Sequence, residues 1–111
     1  MSRRTSNEIV VIAWRDIPAQ VNGRSGEDRH QVILPRRFQT AIDRAAMRAG
    51  KKTAQEYVGE WRRTTSPLEG ELVASVEAVA AELAEGFSHQ PLQSFVNNGG
   101  WDPTAVQGAS T

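Results

Sequence analysis

The apolar positions of this chain change their spacing along its length, and each change predicts a different element. Glu8-Ile9-Val10-Val11-Ile12-Ala13-Trp14 is a short, continuous, β-branched run. Such a run predicts a strand buried on both faces, central in a small sheet. Arg15-Asp16-Ile17-Pro18-Ala19-Gln20-Val21 follows, and Pro18, which cannot donate to a ladder, marks a bulge or a sheet edge. Residues 22–28 are rich in turn formers, led by Asn22-Gly23. His30-Gln31-Val32-Ile33-Leu34, closed by Pro35, reads as a second strand. The expected arrangement is an antiparallel hairpin pairing 9–14 with 30–34.

From Pro35 onward the period becomes helical. Phe38, Ala41, Ile42, Ala45, Ala46 and Ala49 form one stripe, with Gly50 at the expected C′ position. Thr53-Ala54-Gln55-Glu56 fits a capping box. The second helix that it opens presents Ala54, Tyr57, Val58 and Trp61, with Arg62 and Arg63 in its last turn. Ser66-Pro67-Leu68-Glu69 fits another box, ahead of a third stripe of Leu72, Val76, Val79, Ala80, Leu83 and Phe87. Gly86 and Pro91 end it. The fold class is therefore α+β: an N-terminal antiparallel hairpin, with room for a further strand, packed on two to three helices. The domain is expected over 8–91, with a flexible N-terminus over 1–7. An irregular tail over 92–111 would be anchored by Phe95 and Trp101. Trp14, Trp61, Phe38 and Ile42 are expected in one core.

Charge adds a second pattern. All thirteen Lys and Arg lie in residues 1–63, against seven of the thirteen acids, so this part carries a net of +6 and the remainder −6. The overall formal charge of zero hides this dipole, which points to a charged partner or to one half docking on the other. The absence of Cys excludes disulfides, thiolate chemistry and Cys-ligated metals. No apolar run reaches membrane-spanning length, and Met1-Ser2-Arg3-Arg4 does not open a signal peptide, so a cytoplasmic location is expected.

Two groups of residues are candidates for binding. Trp14, Arg15, Asp16 and Gln20 sit at the end of the first strand, where an Arg beside an Asp can present a fixed polar pair. The bland reading is a structural corner in which Trp14 fills the core and Pro18 blunts an edge. Arg37, Arg44 and Arg48, spaced by seven and four residues, stack on one helix face and suit carboxylate or phosphate recognition. Here the bland reading is neutralisation by the glutamates of the third helix. His30 and His89 have no metal-ligand spacing and no nucleophile motif around them. No catalytic residue, metal site or cofactor is assigned. A strand ending in Leu34-Pro35, then a helix, a Gly turn and a Thr-capped helix also resembles a ribbon-helix-helix regulator. In that reading strand 30–34 would pair with its own copy and enter the major groove of DNA.

WRDIPAQV (14–21), RRFQTAIDRAAMRAG (36–50) and EYVGEWRR (56–63) together resemble the small bacterial "virulence factor" domain family. The same domain forms the middle part of the larger conserved virulence factor C proteins. The resemblance covers roughly residues 8–64. In those larger relatives it is accompanied by an Nfu-type domain and HEAT-like repeats, which implies an accessory, scaffolding or assembly role rather than catalysis. The family implies no catalytic residue. The expected function is a non-enzymatic bacterial adaptor. It would bind a protein partner, or an anionic ligand, through Trp14–Gln20 and the Arg37/Arg44/Arg48 face. The alternatives are the DNA-binding regulator, with nucleic acid as partner, and a small accessory subunit of a one-carbon or corrinoid methyl-transfer or cofactor-assembly system.

Overall fold

The computed structural model describes residues 7–104. The rest of the expected flexible N-terminus, 1–6, and the end of the expected tail, 105–111, lie outside the described residues. The element order is β1 (Asn7–Trp14), β2 (Ile17–Ser25), β3 (Asp28–Ile33), α1 (Arg36–Arg48), α2 (Ala54–Val58), β4 (Trp61–Pro67), α3 (Leu72–Gly86) and α4 (His89–Asn97). The strands form one antiparallel sheet in the order β3-β2-β1-β4. The fold is thus α+β as expected, with a four-stranded sheet in place of a hairpin with room for one further strand.

β1 is central, as its unbroken apolar run requires, but its neighbours are β2 and β4. The 30–34 strand, here β3, pairs with β2 instead of β1. The missing strand is Ile17–Ser25, which the turn formers Asn22-Gly23 concealed. Gly23 serves packing: a Cβ there would clash with Val76 Cγ2 of α3, so only glycine lets the helix approach. The turn falls later, at Gly26, whose φ is +62°. Pro18 does mark a bulge. Ala13 pairs with Pro18 and Ile12 with Gln20, which leaves Ala19 as the extra residue.

β4 is the second departure. The expected second helix stops at Val58, although Thr53 and Glu56 form the anticipated capping box. Trp61-Arg62-Arg63-Thr64-Thr65-Ser66-Pro67 then runs extended along the free edge of β1. Arg62 and Arg63 are strand residues, and Trp61 is half-buried. The expected capping box at Ser66 does not form; α3 begins at Leu72, with the Glu71 carboxylate accepting from the Ala74 amide. The segment expected to be irregular from residue 92 begins as helix. Pro91 lies in the first turn of α4, where a missing amide hydrogen costs no intrahelical bond.

α1 matches its expected stripe, with Phe38, Ala41, Ile42, Ala45 and Ala46 buried and Gly50 at φ +75°. These side chains meet Trp14, Ile17, Val21, Val76, Leu92 and Val96 in one core. Trp14, Phe38 and Ile42 are among its most buried members. Phe87 packs edge-on against both Phe38 and Phe95 and ties α3 to α1 and α4. α3 covers one face of β2 and β3. The other face of the sheet carries Glu8, Val10, Asn22, Arg24, Arg29, Gln31 and Arg63 around an open depression.

Candidate functional site

The strand-end candidates turn inward. Arg15 and Asp16 form the two-residue turn between β1 and β2, and Arg15 has φ +52°, a left-handed conformation usually left to glycine. Four attachments hold it there. Its amide donates to the Glu60 carbonyl at 3.0 Å, its Nε to Glu60 Oε1 at 3.2 Å, and its Nη1 to the Gly99 carbonyl at 2.9 Å. The guanidinium also lies over the ring of Trp101, 4.9 Å from its centre. Asp16 is equally occupied: Arg62 Nη1 donates to Oδ1 at 3.2 Å and the Asp102 amide to Oδ2 at 2.8 Å. Trp14 is fully buried, donates from Nε1 to the Tyr57 carbonyl at 2.8 Å, and stacks on the Tyr57 ring. Gly100 passes over Trp14 so closely that a Cβ would stand 2.9 Å from the indole.

Trp14, Arg15 and Asp16 therefore knot the sheet to α2, β4 and the segment after α4. Glu60 sits at the centre of this knot. The Arg15 hydrogen bond, with Lys51 Nζ 3.3 Å from Oε2, holds its carboxyl below the usual carboxylate range. The polar pair is hydrogen-bonded inside the chain, with the Arg15 side chain largely buried and Asp16 partly exposed. Gln20 stands apart from the knot, on the open sheet face, where its Oε1 accepts from Gln31 Nε2 at 3.4 Å.

The helix-face candidates divide as well. Arg37 is half-buried and turned toward α3, where it donates to the Ala84 carbonyl at 2.6 Å and the Phe87 carbonyl at 3.0 Å. It satisfies carbonyls that the last turn of α3 leaves without partners. Arg44 and Arg48 are exposed, and among the described residues neither has a carboxylate within 4.0 Å. The glutamates of α3 do not neutralise them. Met47 between them is 78% exposed, on the polar side of a helix whose apolar stripe is already spent on the core. Beside this face, α1 and α4 enclose a groove of roughly 310 Å³. Arg36, Arg44, His89 and Gln93 stand around it, with Ala41, Leu92 and Val96 also in its lining.

This arrangement places two fixed arginines in the scaffold and two free ones beside an amphipathic groove, with the acidic helix against the sheet. The chain belongs to the virulence factor family. The family's model matches residues 12–96, from β1 through α4. The match extends well past the 8–64 stretch that carries the sequence resemblance, so α3 and most of α4 are part of the family domain. No curated protein and no solved structure matches the chain. Among the described residues no three His, Asp or Glu side chains cluster as metal ligands, and no helix is long and apolar enough to cross a membrane.

Three further arginines, none of them a binding candidate by sequence, gather on the open sheet face: Arg24, Arg29 and Arg63. The signal was present as alternation. Gln20, Asn22 and Arg24 alternate with Val21 and Gly23, as a half-buried strand would. The Asn-Gly pair drew the assignment to a turn.

Proposed function

We propose that this member of the virulence factor family is a non-enzymatic accessory protein that docks an acidic surface of a protein partner. Its docking face is the exposed side of α1, Arg44, Met47 and Arg48, continued into the α1–α4 groove past Arg36, His89 and Gln93. The supporting observation is the contrast on one helix: Arg37 is consumed by α3, while among the described residues Arg44 and Arg48 have no carboxylate near them. Arg and Met are the residue types that protein interfaces favour, and an exposed Met beside two free guanidinium groups combines apolar contact with charge selection. The Trp14–Asp16 knot serves this face indirectly, by fixing the sheet on which α1 rests.

A ribbon-helix-helix mode needs strand 30–34 to pair with its own copy. In this chain that strand is already paired along one side by β2. A subunit role in a methyl-transfer or cofactor-assembly system, which the resemblance implies, would set the same α1 face against an enzyme chain.

The test compares tagged wild type with the Arg44→Gln/Arg48→Gln double variant, each purified from a bacterial host at low and high salt, with co-purifying proteins identified by mass spectrometry. The proposal expects a stoichiometric protein that is lost in the variant and at high salt. An identical set of proteins with both chains would overturn it. Steeply salt-dependent binding of duplex DNA by the wild type would favour the regulator instead.

A further inference from the structure

The sheet has a second basic surface, independent of the α1 face. Register aligns its outward residues in rows across the four strands. Pro67, Glu8, Arg24 and Arg29 form one row; Thr65, Val10, Asn22 and Gln31 the next; Arg63, Ile12, Gln20 and Ile33 the third. Arg24 and Arg29 are direct cross-strand partners, so their Cβ atoms stand about 5 Å apart, and like charges so placed destabilise a sheet. Nothing among the described residues relieves them. Glu8 is next in the row, yet among the described residues no carboxylate lies within 4.0 Å of Arg24, Arg29 or Arg63.

Between these corners the face is polar and ordered. Gln31 Nε2 donates to Asn22 Oδ1 at 2.9 Å and to Gln20 Oε1 at 3.4 Å, an amide ladder across β2 and β3. Val10 is only 5% exposed although it lies outside the helix-covered core, because its neighbours' side chains stand around it. The result is an open depression of roughly 400 Å³ with Val10 in its floor, the Asn22 and Gln31 amides on its walls, arginines at two corners and the Glu8 side chain on its rim between them. Strand spacing and rise put the Arg24 and Arg63 Cα atoms about 16 Å apart, a gap that long side chains leaning inward shorten.

We infer that this face binds a small polyanion of nucleotide or tricarboxylate size, with oxyanion groups at both ends. One end would lie in the fork of Arg24 and Arg29 and the other at Arg63, with Asn22 and Gln31 contacting the polar middle. Guanidinium forks match phosphate and carboxylate equally well, so the two chemistries are separated by the probes and not by the site. The volume lies in the range of small-molecule sites. Single-stranded nucleic acid fits less well, because the ring that borders these rows, Trp61, is half-buried and packed edge-on against Tyr57, and the rows themselves offer no further ring for successive bases.

The test is titration of the isotope-labelled chain with inorganic triphosphate and, separately, with citrate. Backbone NMR shifts are followed in wild type, Arg24→Gln/Arg29→Gln, Arg63→Gln and the α1 variant Arg44→Gln/Arg48→Gln. The expected result is saturable binding of at least one probe, with shifts centred on residues 22–24, 29–31 and 63. Affinity should fall on the order of tenfold or more in each sheet variant and stay unchanged in the α1 variant. Dispersed spectra and melting midpoints no lower than wild type show that the variants fold, as exposed substitutions should. Shifts spread equally over all exposed arginines, or no saturation, would overturn the inference. So would an oligonucleotide or an acidic peptide binding this face more tightly than either probe. The α1 docking proposal stands or falls on other variants, so each can fail alone.

Discussion

Arginine does opposite work in two regions of this molecule. In the knot at the β1–β2 turn, the largely buried Arg15 is held by Glu60, the Gly99 carbonyl and the ring of Trp101, and the more exposed Arg62 by Asp16 and the same ring. On α1 and on the open sheet face, Arg44, Arg48, Arg24, Arg29 and Arg63 stand in solvent with no carboxylate near them among the described residues. Charge in the first region is partly desolvated and hydrogen-bonded, so it holds structure together. Charge in the second is hydrated and screened, so it contributes little to stability and is free for recognition. The same residue type in one short chain thus divides by its environment into scaffold and surface.

The comparison can be broken most forcefully at Trp14. Trp14→Ala should lower unfolding stability by about 3–5 kcal/mol, since it removes a fully buried indole, its stacking on Tyr57 and a hydrogen bond. Chemical denaturation measures this, and a loss no larger than that of an exposed substitution would remove the knot from the core. Next is Arg15→Gln, expected to cost roughly 1.5–3 kcal/mol through its charged hydrogen bonds to Glu60 and Gly99.

The Glu60 side of that bond carries a pH signature. Arg15, seconded by Lys51, depresses the Glu60 pKa in the folded chain. Its contribution is therefore present above the unfolded value of roughly 4.3 and is lost as pH falls through the lower folded value. The stability gap between wild type and Glu60→Gln should be full at neutral pH and close in acid. A gap that stays constant through that window would show that the carboxylate charge is not what matters.

Arg37→Gln tests the boundary between the two regions. It leaves the Ala84 and Phe87 carbonyls unpaired at the end of α3, so about 1–2 kcal/mol should be lost despite its place among the exposed arginines of α1. The smallest effect belongs to Arg44→Gln/Arg48→Gln, whose unfolding stability should stay within about 0.5 kcal/mol of wild type. A larger loss would mean that these side chains serve the fold and not a partner.

Local chemistry alone determined the central strand, α1 and the capping box of Thr53. An unbroken β-branched run, a 3.6-residue stripe ended by glycine, and a Thr/Glu pair three residues apart each favour one conformation without outside help. The basic surface was legible as charge segregation, and so was Pro18 as a bulge. Tertiary structure decided the rest. β4 has almost no apolar pattern and is extended because β1 offers it an open edge. Gly23 lies in a strand and not a turn because α3 needs the space. Pro91 begins a helix because Leu92 and Val96 have a core to enter. Which arginines are free could not be read from spacing, since Arg37 and Arg44 share a helix face by sequence. The end of α3, packed near one and not the other, made Arg37 a structural donor and left Arg44 in solvent.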